Sequence, residues 1–552
     1  MRFHRPRTRL GTHEVDNQPF PPDDYDAWAT DRPLRQHVAR LAPEWTASSL
    51  AALGEETGRG YWFEQARQAE RHPPELVAFD NGGRRVDEVH YHPAYHALMA
   101  LAIGHDLHGV AWRRNEEAGG HVAHVAGLYL FTQPEQGVCC PVTMTHAAVP
   151  ALLAEPAVAE DWLPWLMSTR YDARSLPAGE KAGATFGMAM TEKQGGSDVR
   201  ANTTRAVATG GDGEYALTGH KWFCSAPMSD AFLTLAQADE GLTCFLVPRW
   251  RPDGGRNGIR LQRLKDKCGN RSNASAEIEY EDAWARRVGP PGRGVRTIIE
   301  MVQQTRLDAA TAPVGMMRQA LIQAWHFCRA RRAFGATLAE QPLMREVLAD
   351  LALEVEAGLA LVLRLAAAFE APAEAAGERR LARLGTAAAK YWTNKRAPAV
   401  IAEAMECLGG NGYVETGPLA RLYREAPVNG IWEGAGNVIC LDVRRALVDD
   451  PEAETALLAE VAPARGADTR LDAAIEALPA EFAAVREDPA AARRATGALA
   501  LALQASLLVR HAPAPVAEAF CATRLGGGGG YTLGCLPAGV DRDAILERVW
   551  PE

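Results

Sequence analysis

The chain has 552 residues, 47% apolar and 23% charged, with a formal net charge of -10 at pH 7. That length is too great for one compact core and predicts about two to four domains. The composition is that of an ordinary soluble globular protein, and the negative balance offers no global attraction for nucleic acid or an anionic membrane. Ten cysteines occur without a CxxC pair, and only Cys139 and Cys140 are neighbours. They read as reduced, mostly buried thiols of a cytoplasmic protein, with no metal site. The basic N-terminus MRFHRPRTRLGTHEVDNQPF lacks the apolar stretch of a signal peptide. The most apolar segment, Ala498 to Val509, is too short and too polar to span a bilayer, so no membrane partner is expected.

A Pro-rich arm (Pro19, Pro21, Pro22) precedes a region, residues 25–180, that reads as helix. In HPAYHALMALAIGHDLHGVAW and GHVAHVAGLYLFTQ, apolar residues recur at three- and four-residue spacing. Between about 184 and 290 the period shortens. EYALTGHKWFCS, AFLTLAQA, LTCFLVPR and SAEIEYEDAW predict an antiparallel β domain, with DGGRNG (Asp253 to Gly258) as a turn. Helical periodicity returns from Pro291 to Leu447. The run from Gly294 to Phe334 is too long for one globular helix and predicts a break near Asp308 to Pro313. Asp449-Asp450-Pro451 then stops the pattern before an Ala-rich helical tail, whose GGGGG run (Gly526 to Gly530) reads as a mobile loop. The expected divisions are 1–183 (helical), 184–290 (β-barrel-like), 291–447 (helical bundle) and 448–552 (further helical domain). The fold class is mainly α with a central antiparallel β domain.

Three segments carry candidate chemistry. MTEKQGGSD places hydroxyls at Thr191 and Ser197 around the free backbone N–H groups of Gly195 and Gly196, a turn able to bind a flavin's pyrimidine edge and pyrophosphate. HKWFCS offers Trp222 as a plate for an isoalloxazine ring. GIWEGAGN sets Glu433 in a glycine-flanked bend, where small neighbours let a substrate approach a carboxylate base. Taken singly, these segments read more readily as a plain loop, a core tryptophan and a solvated turn residue.

Together they are more specific. MAMTEKQGGSD resembles the flavin signature of the acyl-CoA dehydrogenase family, RRAFGATLAEQP its Arg-x-x-Phe-Gly segment, and ECLGGNGYVETGPLARLYREAPVNGIWEGAGN its C-terminal block. The resemblance covers about residues 80 to 447. Within the family it is strongest to the AidB branch, flavoproteins of the adaptive response to DNA alkylation. It rests there on MTEKQGGSD, RLKDKCGNRSNAS, PVNGIWEGAGN, CCPVTMTHAAVP and the extra C-terminal domain.

The resemblance implies an acyl-CoA dehydrogenase-like fold (helical N-lobe, β domain, helical bundle) with FAD as cofactor. Met188, Thr191, Gly195, Gly196 and Ser197 would line the flavin, with Trp222, Phe223 and Cys224 flanking its ring. Cys224 would stand where relatives carry a Thr hydroxyl. Arg331 and Phe334 would contact the flavin's adenylate half across a subunit interface, with Gln341 one position early relative to the family. Leu408, Gly409, Gly410 and Gly412 would form a neighbouring subunit's dinucleotide loop. Trp432, Gly434 and Asn437 would complete the cofactor contacts. The shared site implies an obligate oligomer, a homotetramer arranged as a dimer of dimers.

Glu433 matches the family's catalytic base, with a pKa raised by desolvation. The alternative base position of some relatives is occupied by Thr305, before Arg306, so those two residues and Trp432 are assigned to the substrate pocket. Trp432 in place of a smaller aromatic, and Ala435 in place of Thr, narrow the expectation to weak or residual dehydrogenation of short branched acyl thioesters such as isovaleryl-CoA. The branch resemblance implies binding of double-stranded DNA, with Arg444, Arg445, Arg493 and Arg494 as contacts and Arg510-His511 as a further cluster. Residues 449–552 hold nine arginines, no lysine and sixteen acidic residues, which opposes a broad phosphate-binding face. Two alternatives stand beside this reading: a metabolic dehydrogenase of acyl-CoA or carrier-bound acyl groups, and an oxidase or monooxygenase using the same pocket.

Overall fold

The computed structural model describes residues 7–114, 117–372 and 374–550. The first six residues of the basic N-terminal segment lie outside that set. The chain divides into two compact units, one from residues 1–64, 117–134 and 309–552, the other from 65–116 and 135–308.

The second unit contains the β structure. Its seven-stranded sheet comprises β3 (Phe186–Ala189), β4 (Arg205–Ala208), β5 (Glu214–Ser225), β6 (Ala231–Ala238), β7 (Gly241–Pro248), β8 (Ile259–Leu264) and β9 (Ser275–Val288). Pairing runs β6–β4–β5–β9–β7 and returns to β6, so the sheet closes on itself, with β3 beside β6 and β8 beside β9. Most of its pairings are antiparallel, as expected, and two are parallel. β3 pairs parallel with β6, and β4 meets β6 parallel at Arg205 and Gln237. The segment 190–204 between β3 and β4 is too long for a tight hairpin, so β4 is not obliged to pair with β3. Inward residues Leu217, Cys224, Phe232, Phe245, Val247, Leu261, Ile278 and Tyr280 fill the interior. Each fully buried Phe there contributes about 1.5–3 kcal/mol.

The region read as continuous helix from 25 to 180 holds a hairpin, β1 (Glu75–Phe79) and β2 (Arg85–His90). Asp80 closes its turn by accepting the N–H groups of Gly82 and Arg84. Inward Asp87 accepts the N–H of Leu261 at 2.9 Å, tying the hairpin to β8. The alternation in RVDEVH after the Asn-Gly-Gly turn was the available signal.

Helices dominate the other unit. The break anticipated near Asp308 to Pro313 does not occur, because Gly294–Ala330 is one helix of 37 residues with Pro313 inside it. Proline at 313 removes the N–H that would bond the carbonyl of Ala309. The side chain of Asn394, on the helix Ala376–Cys407, donates to that carbonyl at 2.8 Å, and Thr393 donates to Ala310 at 2.9 Å. A neighbouring helix thus satisfies what the proline leaves open.

The Ala-rich tail is helical, as expected, with Thr469–Glu487 and Ala492–His511 as its longest members. Buried ion pairs fasten it to the helix Pro342–Phe369, with Arg524 on Asp350 and Glu354, and Arg548 on Glu356. The Gly526 to Gly530 run follows a π-turn over Cys521–Leu525 and is not helical.

Candidate functional site

In the β-containing unit, the segment after β3 is held from beneath at three successive residues. Asn202 donates to the carbonyl of Met190 at 2.9 Å, and the Trp222 N–H donates to that of Thr191 at 2.7 Å. Glu192 is fully buried and accepts from the N–H and hydroxyl groups of both Thr203 and Thr204 at 2.6–3.1 Å. Its fifth donor is the fully buried Lys221 ammonium at 3.0 Å, which also donates to the carbonyl of Leu235. Burial by itself would raise the Glu192 pKa. The hydrogen bonds from Thr203 and Thr204 and the Lys221 charge outweigh it and bring the pKa down to about 2. Burial lowers the pKa of Lys221, and the facing carboxylate opposes that shift.

Above this anchor, Gly195 has φ +131°, a conformation that favours glycine. A Cβ at Gly196 would lie 2.4 Å from the Thr191 hydroxyl oxygen, so a glycine is required for that close approach. Ser197 and Gly196 are exposed and Met188 is half-buried. A polar flavin edge fits this surface of small residues, hydroxyls and backbone N–H groups.

Strand β5 supplies the flanking wall through a β-bulge. Lys221 pairs with Ile278 and Cys224 with Ala276, so two residues of β5 face one residue of β9. Trp222 and Phe223 are therefore both left outside, with Phe223 47% exposed, while Cys224 turns into the core at 0%. The Cys224 side chain is thus turned away from the outer face, which leaves its backbone as the part expected to serve a flavin. Its thiol sits in the barrel interior, where burial pushes its pKa up to about 12. The next outward residue is Ser225, whose hydroxyl lies 3.3 Å from that of Ser275. Sequence reading passed over Ser225, because the extra residue of a bulge is not visible in the alternation alone. The Trp222 face carries the Lys265 ammonium 3.2 Å from the ring centroid, with Arg263 and Lys193 each at 5.7 Å. Glu277 pairs with both Arg263 and Lys265, at 2.7 and 2.6 Å. Thr305 and Arg306 of the same unit are buried on the long helix, and the Thr305 hydroxyl donates to the carbonyl of Val302.

The helical unit carries the remaining candidates. Glu433 is half-buried and adopts φ +57°, with Gly434 at +108°. A non-glycine residue there costs about 1–3 kcal/mol and persists only where its surroundings hold it. The holder is Lys390, 1% exposed, whose ammonium donates to the carbonyl of Trp432 at 2.8 Å and that of Gly434 at 2.5 Å. One buried cation thus clamps the backbone on both sides of the carboxylate. Trp432 is fixed in turn by its indole N–H on Asn429 at 3.0 Å. Neither Lys390 nor Glu192 was singled out from the sequence. A lone lysine in an apolar helical stretch was the visible sign of the first, and the Thr-Glu pair of the second.

Phe334 and Gly335 form a two-residue turn, with φ of +51° and +85°, between the short strands Arg332–Ala333 and Ala336–Thr337. The turn leaves Phe334 fully exposed, while Arg331 donates to the carbonyl of Asn17 and Gln341 to that of Ala333. Leu408 caps the helix Ala376–Cys407, and Gly409 follows at φ +57°. At Gly412 a Cβ would meet the carbonyl oxygen of Met405 at 2.2 Å, and exposed Gly410 lies between them.

The arginines expected to meet DNA have partners inside the unit. Arg444 donates to the carbonyls of Val485 and Arg486, and Arg445 lies 3.4 Å from Asp442. Arg493 bonds Tyr391 and Asn437, and Arg494 makes a two-point contact with Glu481. In the tail, Arg470, Arg486, Arg510 and Arg542 also pair with carboxylates.

Comparison with known proteins gives a consistent result. Residues 17–173 match the adaptive response protein AidB N-terminal domain, 187–283 the acyl-CoA dehydrogenase middle domain, and 292–448 the acyl-CoA dehydrogenase C-terminal domain. The chain is 45% identical over 523 residues to the putative acyl-CoA dehydrogenase AidB of Escherichia coli, covering 95% of this chain and 96% of that protein. It is 33% identical to acyl-CoA dehydrogenase family member 11 of Caenorhabditis elegans over 77% of this chain and 71% of that one. The crystal structure of Caenorhabditis elegans ACDH-11 in complex with C11-CoA superposes with a TM-score of 0.83 at 26% identity, covering 99% and 93% of the two chains.

Proposed function

Since the chain belongs to the acyl-CoA dehydrogenase family, FAD-dependent oxidoreductases acting on CH–CH bonds, we propose that it removes the α- and β-hydrogens of a short branched acyl-CoA with Glu433 as base. The observation that carries this reading is the Lys390 clamp, which holds Glu433 in a backbone conformation that would otherwise relax. Glu433 shares its positive φ with aspartates such as Asp87, and what sets it apart is the buried lysine bonded to the carbonyls on both sides of it. Glu433 would take the α-proton, while bound FAD supplies the acceptor for the β-hydride. The Thr191–Gly196 turn and the outward faces of Trp222, Phe223 and Ser225 would orient the cofactor, and Trp432 would restrict the acyl chain. The C11-CoA complex of the Caenorhabditis elegans relative supports a thioester as ligand. Exposed Phe334 and Tyr413, at 100% and 80%, support a homo-oligomer, proposed as a tetramer in the cytoplasm. Anaerobic titration with isovaleryl-CoA tests the reading. The flavin is expected to bleach, and Glu433→Gln to slow bleaching by about 10²–10⁴-fold with FAD retained. An unbleached flavin across an acyl-CoA panel refutes it.

A second reading, duplex-DNA binding linked to the alkylation response, is favoured by the match of residues 17–173 to an adaptive response protein domain. Exposed Arg445, Arg493 and Arg494, with half-buried Arg444, are its candidate contacts. Binding to duplex DNA should weaken steeply with salt. Absence of binding at low salt refutes it.

A further inference from the structure

A cavity of about 360 Å³ lies within the β-containing unit, walled by β2, the helix Pro93–Gly104, the segment 171–185 and the turn after β5. None of its lining residues belongs to the flavin-facing set. Its volume equals about a dozen waters at ~30 Å³ each, within the ordinary range of small-ligand sites.

The floor is a built polar site. Lys181 and Asp230 form an ion pair at 2.6 Å, with side chains only 4% and 6% exposed. Both oxygens of Asp230 are engaged, one by Lys181 and the other by the Thr185 N–H at 2.9 Å. The Lys181 ammonium has three donors and gives one to Asp230. The Ser229 hydroxyl lines the cavity without a hydrogen-bond partner on a residue 2% exposed, and the buried Ser175 hydroxyl also lacks one. A buried polar group left unsatisfied is costly, so these hydroxyls mark a place where a ligand completes the bonding.

The unused hydrogen-bonding capacity is on the donor side. Lys181 is the ammonium in the lining, and Arg249 lies outside it, donating to the carbonyl of Pro227 at 2.6 Å. The acids at the mouth are already paired, Glu88 with Arg256 and Asp172 with Arg174. Above the floor, Tyr91 and Tyr95 stack with centroids 4.1 Å apart, giving a flat apolar wall.

We propose that this cavity binds a small monocarboxylate, its carboxyl group taken by Lys181 and Ser229 and its body set against the Tyr91–Tyr95 wall. The site is separate from the flavin surface, and the proposal does not depend on the dehydrogenase reading.

The test is calorimetric titration of the full-length, FAD-loaded protein with acetate, propionate, isobutyrate, benzoate and phenylacetate, with benzamide as uncharged control. At least one carboxylate is expected to bind one to one with a Kd of about 1 mM or tighter, as ligands of so few atoms allow. Benzamide should bind at least about tenfold more weakly than benzoate, the worth of a charge-assisted hydrogen bond. Lys181→Gln should lose about tenfold in carboxylate affinity. Ser229→Leu, which fills the floor without breaking the ion pair, should abolish binding while the flavin absorbance stays unchanged. No binding by any of the five acids overturns the proposal. So does equal binding of benzamide, retained affinity in Ser229→Leu, or displacement of the bound acid by isovaleryl-CoA.

Discussion

Glu192 is the point at which the turn after β3 can be loosened without touching its outer surface, the face proposed to meet the cofactor. Five donors converge on its two oxygens, at 2.6, 2.9, 3.1, 2.6 and 3.0 Å. In Glu192→Gln one oxygen becomes an NH₂ group, which must face either the Thr203 pair or the Thr204–Lys221 pair as donor against donor. The buried ammonium of Lys221 also loses its countercharge. Breaking one side of a buried ion pair costs about 3–5 kcal/mol. The Thr203 and Thr204 amides that now donate to Glu192 should therefore exchange with solvent about 10²- to several 10³-fold faster, at about tenfold per 1.4 kcal/mol. Hydrogen-exchange mass spectrometry on the FAD-loaded protein reads this directly. Lys221→Met alone should do comparable damage. The double variant Glu192→Gln/Lys221→Met should lose less than the sum of the two, by about 0.5–3 kcal/mol.

The same pair fixes a pH dependence. The Glu192 pKa is depressed to about 2, from an ordinary value of 4.5. Its stabilising contribution is thus complete above about 4.5 and is lost as the pH falls through about 2. An acid limb in that window, present in the native protein and missing from Glu192→Gln, is the expected signature. Unchanged exchange at Thr203 and Thr204, or strictly additive variants, would refute the reasoning.

Three further outcomes follow from the geometry. Lys390→Met removes the clamp on Trp432 and Gly434, and single-turnover flavin reduction by isovaleryl-CoA should fall about 10²-fold with FAD affinity unchanged, since small misplacements of a catalytic group cost that much. Ser225→Ala should shift the bound flavin's absorbance, whereas Cys224→Ala should leave the spectrum alone and lower only thermal stability. Asn394→Leu strands the carbonyl of Ala309 beside Pro313, and chemical denaturation should show a loss of about 1–3 kcal/mol.

The larger outlines were legible in the sequence because period and turn chemistry carry them. The strands from Phe186 to Val288 fall inside the interval read as β, and the tail after Pro451 is helical as its periodicity implied. The misreadings share a cause: each depends on a partner distant in sequence. Pro313 looked like a helix break because the group that satisfies Ala309 is Asn394, 85 residues away. The hairpin at Glu75–His90 is short, and the bond that ties its Asp87 inward comes from Leu261, 174 residues away. That the Cys224 side chain faces inward and Ser225 outward was not visible, because a bulge is a relation between two strands and one strand alone does not reveal it. In the same way, Lys390 acquires meaning only when the chain returns at Trp432 and Gly434.

The bulge in β5 has a separate consequence for how this protein can vary. With one of Trp222 and Phe223 deleted, the strand would regain strict alternation, with Lys221 still inward, one aromatic outward, then Cys224 inward and Ser225 outward. The barrel interior would hardly register the loss, since neither aromatic contributes to it. The second ring is therefore a removable module, grafted onto a frame that is indifferent to its presence. If the outer face holds the cofactor as proposed, shortening β5 by one residue should separate folding from cofactor binding more cleanly than any substitution in the core.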